Sequence, residues 1–375
     1  MKQKKIGIDA HAIGLKQGGN ERYIEGLLKG LSEIETCGLS FTIFFNHKAK
    51  IPDFLKGNKS FEIERVSVNP IKRLFFDLPK NAKKSKLDLL HTQYHLPPHI
   101  GIPSVITLHD VSYFTHPEFF PIYERLKMNL MMPLSIKKAK KIITVSEFSK
   151  KEILNIYNVK RDKICVIYNG ISNKFKPAGQ KEIKETLAKY GIRQPYILTV
   201  SNLQPRKNLK GVIESFTKVL EKNENFPCNL VIVGKKLWLY DEIFSKIRNS
   251  RFNSRIILTG YIDDKDLVSL YSGAKVFIYI SFYEGFGFPP LEAMACGCVV
   301  ITSNTSSLPE VTGDTAIHVN PENYEEIASN IIKICHDTNL QNTLREKGLM
   351  LVKKFTWHEC AMKTIQVYKN VLSLI

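Results

Sequence analysis

Two glutamates separated by seven residues stand out in the segment Tyr279–Val300, which reads YISFYEGFGFPPLEAMACGCVV. Glu284 lies in a loop after an apolar run, and we expect Glu292 in the first turn of a helix that opens near Pro289. Gly287 lets backbone approach a bulky group, and a helix N-terminus favours anions. The pattern therefore predicts a diphosphate site whose two carboxylates hold hydroxyl groups on either side, the layout of a nucleotide sugar.

The same segment also fits a structural interpretation. Strand–loop–helix connections often contain glycine and proline, and a first-turn acid is favoured by the helix dipole without any ligand. If the segment does bind a substrate, we expect Phe286, Phe288 and Pro289 to line the site together with Gly287.

The local string resembles the glutamate–seven residues–glutamate signature of retaining glycosyltransferases of family 4, which have the GT-B fold. The resemblance extends over nearly the whole chain. It implies an α/β protein with two Rossmann-like, doubly wound parallel-sheet domains facing a central cleft. It also implies that Glu284 binds the hydroxyls of the transferred hexose and that Glu292 binds those of the ribose.

A basic pair in the string SNLQPRKN follows a strand-like run that ends at Val200. Arg206 and Lys207 can bind phosphate oxygens, although such a pair is more often simply exposed to solvent. The string resembles the diphosphate-binding segment of the same family. Many relatives carry a further arginine where this chain has Ser201, so Arg206 is the predicted partner of Lys207.

A histidine motif occurs in VITLHDVSYFTHPEFFP, directly after another strand-like run. His109 resembles the family's histidine in the acceptor-side domain, which implies a contact with the transferred sugar. Asp110 is either a general base or a residue that caps the next turn, and both interpretations stay open.

Two further loops are candidate binding segments. Gly18, Gly19 and Asn20 lie between the first strand and a helix, where the family has a glycine pair that contacts donor phosphate or acceptor. The spacing of glycines after the first strand does not match the dinucleotide-binding fingerprint, which counts against a dehydrogenase. The backbone of Tyr261 and Ile262 resembles the family's loop that meets the nucleotide base.

Two apparent metal patterns are better explained without a metal. His91, His95 and His99 occur at helical spacing, but the adjacent prolines forbid one continuous helix. Asp264 and Asp266 mimic an Asp-x-Asp motif, yet they precede an apolar helical pattern and are better interpreted as helix-start residues, with the preceding aspartate as the cap. We therefore expect no metal and no other cofactor.

The chain of 375 residues is long enough for two domains. Short β-type runs alternate with helical patterns through both halves, which predicts βαβ units and parallel sheets. The stretch after Asn169-Gly170 lacks apolar periodicity. We place the domain boundary there, with an amino-terminal domain of residues 1–172 plus 357–375 and a carboxyl-terminal domain of residues 173–356.

The net charge of +18 is concentrated in the first half, where residues 1–170 hold 28 Lys and Arg against 16 Asp and Glu. The densest stretch, residues 71–86, mixes six basic residues with exposed-looking Leu74, Phe75 and Phe76. Such a stretch is able to touch an anionic membrane surface, although a solvated helix docked on its own domain explains it equally well. No nucleic-acid recognition unit is recognisable, so we do not expect a nucleic-acid partner.

Seven cysteines without a regular framework, and an amino terminus without a secretory signal, predict a cytoplasmic protein, with peripheral contact at the inner face of the membrane as an open alternative.

The motifs HDVSYF, VSEFSK and YNGI together look most like bacterial mannosyltransferases that build surface polysaccharides such as lipopolysaccharide. The resemblance implies GDP-mannose as donor and a polyprenyl-linked or saccharide acceptor. Three alternatives stay open: a UDP-sugar-dependent transferase of the same fold, an epimerase or phosphorylase of that fold, and a basic nucleic-acid-binding protein.

The sequence shows no candidate for a carboxylate nucleophile, so we expect the departing phosphate to assist deprotonation of the acceptor.

Overall fold

The chain forms two parallel sheets. The computed structural model describes residues 3–15, 18–35, 38–235 and 241–373. The first sheet contains β1 (Lys4–Asp9), β2 (Leu39–Asn46), β3 (Phe61–Val66), β4 (Leu89–Gln93), β5 (Ser104–Thr107), β6 (Lys141–Thr144) and β7 (Ile164–Val166). The second sheet contains β8 (Tyr196–Val200), β9 (Asn229–Val233), β10 (Ile256–Gly260), β11 (Val276–Tyr279), β12 (Val300–Ser303) and β13 (Ile317–Val319).

The strand order is β3-β2-β1-β4-β5-β6-β7 in the first sheet and β10-β9-β8-β11-β12-β13 in the second. Adjacent strands pair in parallel in both sheets. The alternation of strands and helices in both sheets agrees with the pattern expected from the sequence. The order reverses between β1 and β4 and again between β8 and β11, which confirms the predicted doubly wound α/β class.

Helices connect most consecutive strands. In chain order they are α1 (Gly19–Ser32), α2 (Pro70–Lys72), α3 (Leu78–Lys84), α4 (Ser112–Thr115), α5 (Ile122–Lys138), α6 (Glu147–Ile156), α7 (Gln180–Lys189), α8 (Leu209–Lys222), α9 (Asp241–Arg248), α10 (Asp264–Gly273), α11 (Phe288–Ala295), α12 (Leu308–Thr312), α13 (Tyr324–His336), α14 (Thr338–Val352) and α15 (Trp357–Ser373). A π-helical turn, Arg73–Asp77, joins α2 to α3. Within the described part of the chain, no helix is both long and apolar enough to cross a bilayer.

The chain divides into two compact units. Unit 1 comprises residues 1–170 and 355–375, and unit 2 comprises residues 171–354. The domain limits expected from the sequence differ from these by two residues at each junction. Each unit has buried apolar clusters of its own, which include Phe44 and Ile142 in unit 1 and Phe216 and Ile278 in unit 2.

The last helix, α15, belongs to unit 1 and packs against α1. Small residues on α1 make this close approach possible, because a side chain at Gly26 would overlap the indole of Trp357 and one at Gly30 would overlap the Trp357 carbonyl. The same helix carries Tyr368, which is fully buried in unit 1.

Candidate functional site

The predicted donor-binding residues follow the two strands at which the second sheet reverses its order. Arg206 and Lys207 lie in a short 3₁₀ turn after β8, and Glu284 lies in the β11–α11 loop, residues 280–287. Because β8 and β11 are adjacent and parallel, both loops leave the same edge of the sheet. Ligands of open α/β sheets bind at the carboxyl edge beside such a reversal.

Lys207, Glu284 and Tyr279 form a closed triangle of hydrogen bonds. The Lys207 Nζ donates to Glu284 Oε1 at 2.5 Å and to the Tyr279 hydroxyl at 2.8 Å. The Tyr279 hydroxyl in turn donates to Glu284 Oε1 at 2.8 Å. Both side chains of the ion pair are nearly inaccessible, with 10% exposure for Lys207 and 9% for Glu284. The sequence pointed to the lysine and the glutamate, but not to the tyrosine.

Arg206 lies on the other side of the same carboxylate. Its Nη1 donates to the carbonyl of Tyr283 at 3.2 Å and lies 3.8 Å from Glu284 Oε2. Burial by itself raises the pKa of Glu284, but the charges of Lys207 and Arg206 outweigh burial and lower the pKa to about 2. Glu284 is therefore an ionised acceptor of hydrogen bonds at neutral pH, held between two cations.

The β11–α11 loop is fastened by hydroxyl groups from the end of the neighbouring strand β12 and from the segment that follows it. The Ser307 Oγ donates to the carbonyls of Glu284 at 2.9 Å and Phe286 at 3.1 Å. The Ser306 Oγ accepts from the Glu284 N–H at 3.0 Å, and the Ser303 Oγ donates to the Ser281 carbonyl at 2.6 Å. Sequence reasoning missed these residues, although the hydroxyl-rich string TSNTSS at residues 302–307 carried a signal.

Gly287 occupies the N-cap position of α11 with a left-handed backbone, φ 103° and ψ 62°. A Cβ there would lie 2.7 Å from Leu308 Cδ2. Pro289 and Pro290 have no N–H, so Gly287 and Phe288 carry the backbone donors of the first four positions. The turn at Gly287 thus lets the chain enter α11 beside the glutamate, as the glycine pattern suggested.

Glu292 differs in one respect from the expectation. Because α11 begins at Phe288, Glu292 is the fifth helical residue and lies in the second turn, not in the first. It is buried at 2% exposure, and Tyr271 donates a hydrogen bond to its Oε2 at 3.4 Å. Burial raises the pKa of Tyr279, and the negative charges of Glu284 and, to a smaller extent, Glu292 raise it further. Both carboxylates therefore act electrostatically on the same tyrosine.

Phe286 and Phe288 flank Gly287, with their rings 5.4 Å apart in an edge-to-face arrangement. Phe286 is buried and Phe288 is half-buried, as is Pro289. These side chains shape the entry to α11.

Tyr261 and Ile262 follow β10, which is an edge strand separated from β8 by β9. The Tyr261 side chain is 50% exposed, whereas Ile262 is buried. Tyr261 and Ile262 therefore lie apart from the reversal in strand order between β8 and β11, where Lys207 and Glu284 lie.

The aspartates near α10 lie at the start of the helix, as expected, and two of them also form ion pairs. Asp263 occupies the N-cap position, but its side chain makes no capping hydrogen bond. Asp266 accepts from Lys189 at 2.5 Å and from Tyr190 at 2.8 Å, and Asp264 pairs with Lys174. The acids at Asp264 and Asp266 thus tie the start of α10 to neighbouring parts of unit 2.

His109 lies in unit 1, directly after β5. Its Nε2 is 2.8 Å from the Gln93 Oε1 at the end of β4, and its ring packs edge-on against Tyr23. Burial lowers the pKa of His109 to about 4, so the imidazole is neutral at pH 7. A neutral, oriented imidazole is suited to donating or accepting one hydrogen bond without adding charge.

Asp110 follows His109 and accepts from Ser112 twice, at 3.0 Å from its N–H and at 2.6 Å from its hydroxyl. These bonds are those of a residue that stabilises the turn into α4. They support the interpretation of Asp110 as a capping residue over its interpretation as a general base.

A buried chain of hydrogen bonds connects α15 with the neighbourhood of His109. The Tyr368 hydroxyl is 2.6 Å from His91 Nδ1, His91 Nε2 is 2.8 Å from the Thr107 hydroxyl, and this hydroxyl is 2.7 Å from that of Tyr23. Burial lowers the pKa of His91 to about 3. The sequence discounted His91 as a metal ligand, and the structure shows it as a neutral link in this chain.

Gly18, Gly19 and Asn20 open α1. Gly18 occupies the N-cap position with φ 70°, a value that favours glycine. Glu21 in the first turn accepts from the Gly14 N–H at 2.7 Å, which fastens the loop that follows β1. The three predicted residues are thus at a helix N-terminus, on the reversal of the first sheet.

Two family models match the chain. The model described as Glycosyltransferase Family 4 matches residues 17–175, and the model described as Glycosyl transferases group 1 matches residues 181–349. Each match falls largely within one of the two units.

Curated relatives and solved structures agree with these matches. The chain is 35% identical over 282 residues to O-antigen chain mannosyltransferase B of Escherichia coli, with 74% of each protein covered. It is 28% identical over 257 residues to the serotype-specific mannosyltransferase WbdA of Escherichia coli, which covers 67% of this chain and 31% of the longer relative. The structure of sucrose-phosphate synthase from Thermosynechococcus elongatus matches in fold with a TM-score of 0.79 at 20% identity, covering 99% of this chain and 100% of that one.

Proposed function

The chain belongs to the glycosyltransferase family that these two models describe, and on this premise we propose that it transfers mannose from GDP-mannose to a lipid-linked or saccharide acceptor in the synthesis of a surface glycan. The chain is a hexosyltransferase. The observation that carries the proposal is the Lys207–Glu284 pair, an ionised carboxylate and a cation buried together at the reversal of the second sheet. The mannosyltransferases among the relatives support mannose as the sugar.

The roles of the donor-side residues follow from their charges. Arg206 and Lys207 bind the diphosphate, assisted by the backbone N–H groups at Gly287 and Phe288. Glu284 accepts hydrogen bonds from the hydroxyls of the hexose, because it stays ionised and its oxygens are fixed. Two cations flank this carboxylate, so they are in place to meet the negative charge of an incoming phosphate.

The remaining donor contacts concern the nucleoside. Glu292 accepts from the ribose hydroxyls, and the main chain at Tyr261 and Ile262 meets the base. Phe286 and Pro289 limit the space beside the sugar. Recognition of the base by main chain would leave little trace in the side chains, so GDP as the nucleotide rests on the resemblance of the sequence motifs, and the relatives support only mannose as the sugar.

The reaction we propose retains the anomeric configuration and uses no metal. The bond between the anomeric carbon and the diphosphate oxygen breaks, and the departing diphosphate gains negative charge. Arg206 and Lys207 stabilise this charge, an electrostatic effect worth about 2–4 kcal/mol for each group. A phosphate oxygen of the departing diphosphate then accepts the proton of the acceptor hydroxyl, while the acceptor oxygen bonds to the anomeric carbon on the face that the diphosphate leaves.

Unit 1 supplies the acceptor-side residues in this proposal. Gly18, Gly19 and Asn20 present a helix N-terminus, and His109 offers a neutral imidazole to a hydroxyl of the transferred sugar. Asp110 orients the turn that follows. The basic stretch of residues 71–86 suits an acceptor carried by a polyprenyl diphosphate and a peripheral contact with an anionic membrane at the inner face.

The test is a transfer assay with purified protein, a polyprenyl-diphosphate-linked glycan and a panel of GDP-mannose, UDP-glucose and ADP-glucose. We expect transfer of mannose with an α-linkage, as read by proton NMR of the product. Lys207→Met should abolish it, whereas the matched Lys184→Met, at an exposed position on α7, should not.

Transfer from UDP-glucose alone would replace GDP-mannose by the UDP-sugar alternative. Release of free sugar or an epimer without any acceptor product would favour a non-transferring relative. Binding to DNA or RNA without turnover of any nucleotide sugar would contradict the proposal altogether.

A further inference from the structure

The helix α5 in unit 1 has an apolar face turned to solvent. Met132 and Ile136 are buried and belong to the core cluster of this unit. The opposite side carries five large residues that are 64–72% exposed: Ile122, Tyr123, Leu126, Leu130 and Leu134. A helix that docks on a core normally has a polar outer face, so this arrangement is the reverse of the usual one.

The five exposed residues form one continuous stripe, here called the α5 face. At 100° per residue they fall within an arc of about 120°, with the buried Met132 and Ile136 on the other side of the helix. From Ile122 to Leu134 the stripe is roughly 18 Å long at 1.5 Å per residue. The α5 face is therefore an extended apolar surface and not a scatter of single residues.

A second apolar patch lies on the neighbouring helical segment. Ile71 is 67% exposed, Phe76 65% and Phe75 40%. Met131 of α5 packs against the cluster that contains Leu74 of this segment. Both elements therefore pack on the same core cluster of unit 1.

Basic residues border both patches. On α5, Lys127, Lys137 and Lys138 are exposed. In residues 71–86 five lysines are exposed, whereas Arg73 is buried and lies 3.4 Å from Asp9; the exposed ones are Lys72, Lys80, Lys83, Lys84 and Lys86. Apolar and aromatic side chains flanked by lysines are typical of elements that lie in the interface of an anionic bilayer, with the helix axis in the membrane plane.

We propose that the α5 face docks unit 1 on the surface of an anionic phospholipid bilayer. The charge distribution favours this occupant over a second copy of the chain, because two copies joined through this face would bring their lysine borders together. The proposal extends the membrane contact proposed above for residues 71–86 to a surface that the sequence did not reveal, and it makes this helix the part that enters the lipid.

The test is vesicle flotation of the full chain without any nucleotide sugar. Vesicles of phosphatidylglycerol and phosphatidylethanolamine are compared with vesicles of phosphatidylcholine. We expect binding to the anionic vesicles, and a loss of about tenfold for each leucine removed from the lipid, hence about 100-fold for Leu126→Ser/Leu130→Ser. The matched control Met350→Ser/Met362→Ser removes two exposed methionines elsewhere and should bind like the wild type.

Light scattering of the same variants completes the test. If the wild type fails to float with anionic vesicles, or if Leu126→Ser/Leu130→Ser floats as well as the wild type, the proposal is wrong. A dimeric wild type that becomes monomeric in the leucine variant, without vesicle binding, would assign the α5 face to self-association. Because no donor is present, vesicle binding with failed sugar transfer would contradict only the proposed function.

Discussion

At the scale of single residues, the donor side depends on a carboxylate that stays charged although it is buried. Glu284 accepts from Lys207 and Tyr279 through one oxygen, and its second oxygen faces Arg206. A buried charge is tolerated only with partners of this kind. The cations that a leaving diphosphate needs are therefore the ones that keep the sugar-binding carboxylate ionised.

This double role predicts separate effects on stability and activity. Lys207→Met leaves Glu284 without its 2.5 Å partner, so we expect the free energy of unfolding to fall by about 3 kcal/mol. Adding Glu284→Gln removes the uncompensated charge and should restore most of the stability without restoring transfer. Urea unfolding and the transfer assay measure the two effects.

The exposed Lys184→Met serves as the control and should change neither quantity. A single Lys207→Met variant as stable as the wild type would show that the pair does not hold the carboxylate. Recovery of transfer in the double variant would show that the charges at these two positions are not needed for the reaction.

Sequence reasoning reached these charged residues because their types and their place after strands are visible in the chain. Arg206, Lys207 and Glu284 each follow an apolar run, and the structure brings them together. Tyr279 was not predicted, since a tyrosine at the end of a strand is indistinguishable from a core residue until the fold shows what its hydroxyl meets. The roles of these residues in catalysis stay predictions.

At the scale of elements, the position of each site residue follows from the reversals in strand order. The β11–α11 loop is held by hydroxyls of Ser303 at the end of β12 and of Ser306 and Ser307 just after it. This support could not be derived from spacing, because β12 follows β11 through a whole helix and only the parallel pairing of the two strands brings the segments together. The first-turn placement of Glu292 was wrong because α11 begins one residue before Pro289.

The entry to α11 predicts a strong effect of a single methyl group. Gly287→Ala combines a positive φ with a Cβ placed 2.7 Å from Leu308 Cδ2. We expect the KM for the donor to rise at least tenfold and the melting temperature to fall, because the loop must shift away from the start of the helix.

Gly191→Ala is the matched control, since Gly191 also has a positive φ, 65°, but no atom within 4 Å of the added carbon. It should lower stability slightly and leave the donor KM unchanged. Equal effects of the two substitutions on KM would mean that the approach of Leu308 to Gly287 does not matter for the donor.

At the scale of the whole molecule, each unit forms a sheet and core of its own, and the final helix returns to unit 1. The alternation of strands and helices was sufficient to predict this architecture. The apolar outer face of α5 was not predicted, because a helix with apolar residues on both sides has no clear periodicity. Exposure of Leu126 and Leu130 could be known only from the packing of Met132 and Ile136.

The buried histidines of unit 1 predict a loss of stability in mild acid. Burial lowers the pKa of His91 to about 3 and of His109 to about 4, and burial with nearby positive charges lowers that of His95 to about 4. Unfolded histidine takes up a proton near pH 6.5. Stability is therefore full above that pH and decreases as the pH falls towards 4, by on the order of 1–2 kcal/mol per histidine at pH 5.

Urea unfolding at pH 7 and pH 5 measures this decrease. His109→Gln should reduce the difference between the two pH values, whereas His47→Gln, at an exposed position, should leave it unchanged. An unfolding midpoint that does not change between pH 7 and pH 5 would mean that these imidazoles are not held neutral in the folded protein.

The most direct measurement is a crystal structure of the protein with GDP-mannose or its 2-fluoro analogue. The proposed function predicts the diphosphate against Arg206, Lys207 and the start of α11, hexose hydroxyls on Glu284 and ribose hydroxyls on Glu292. A donor bound with its diphosphate away from Lys207, or with neither glutamate in contact with a hydroxyl group, would contradict it.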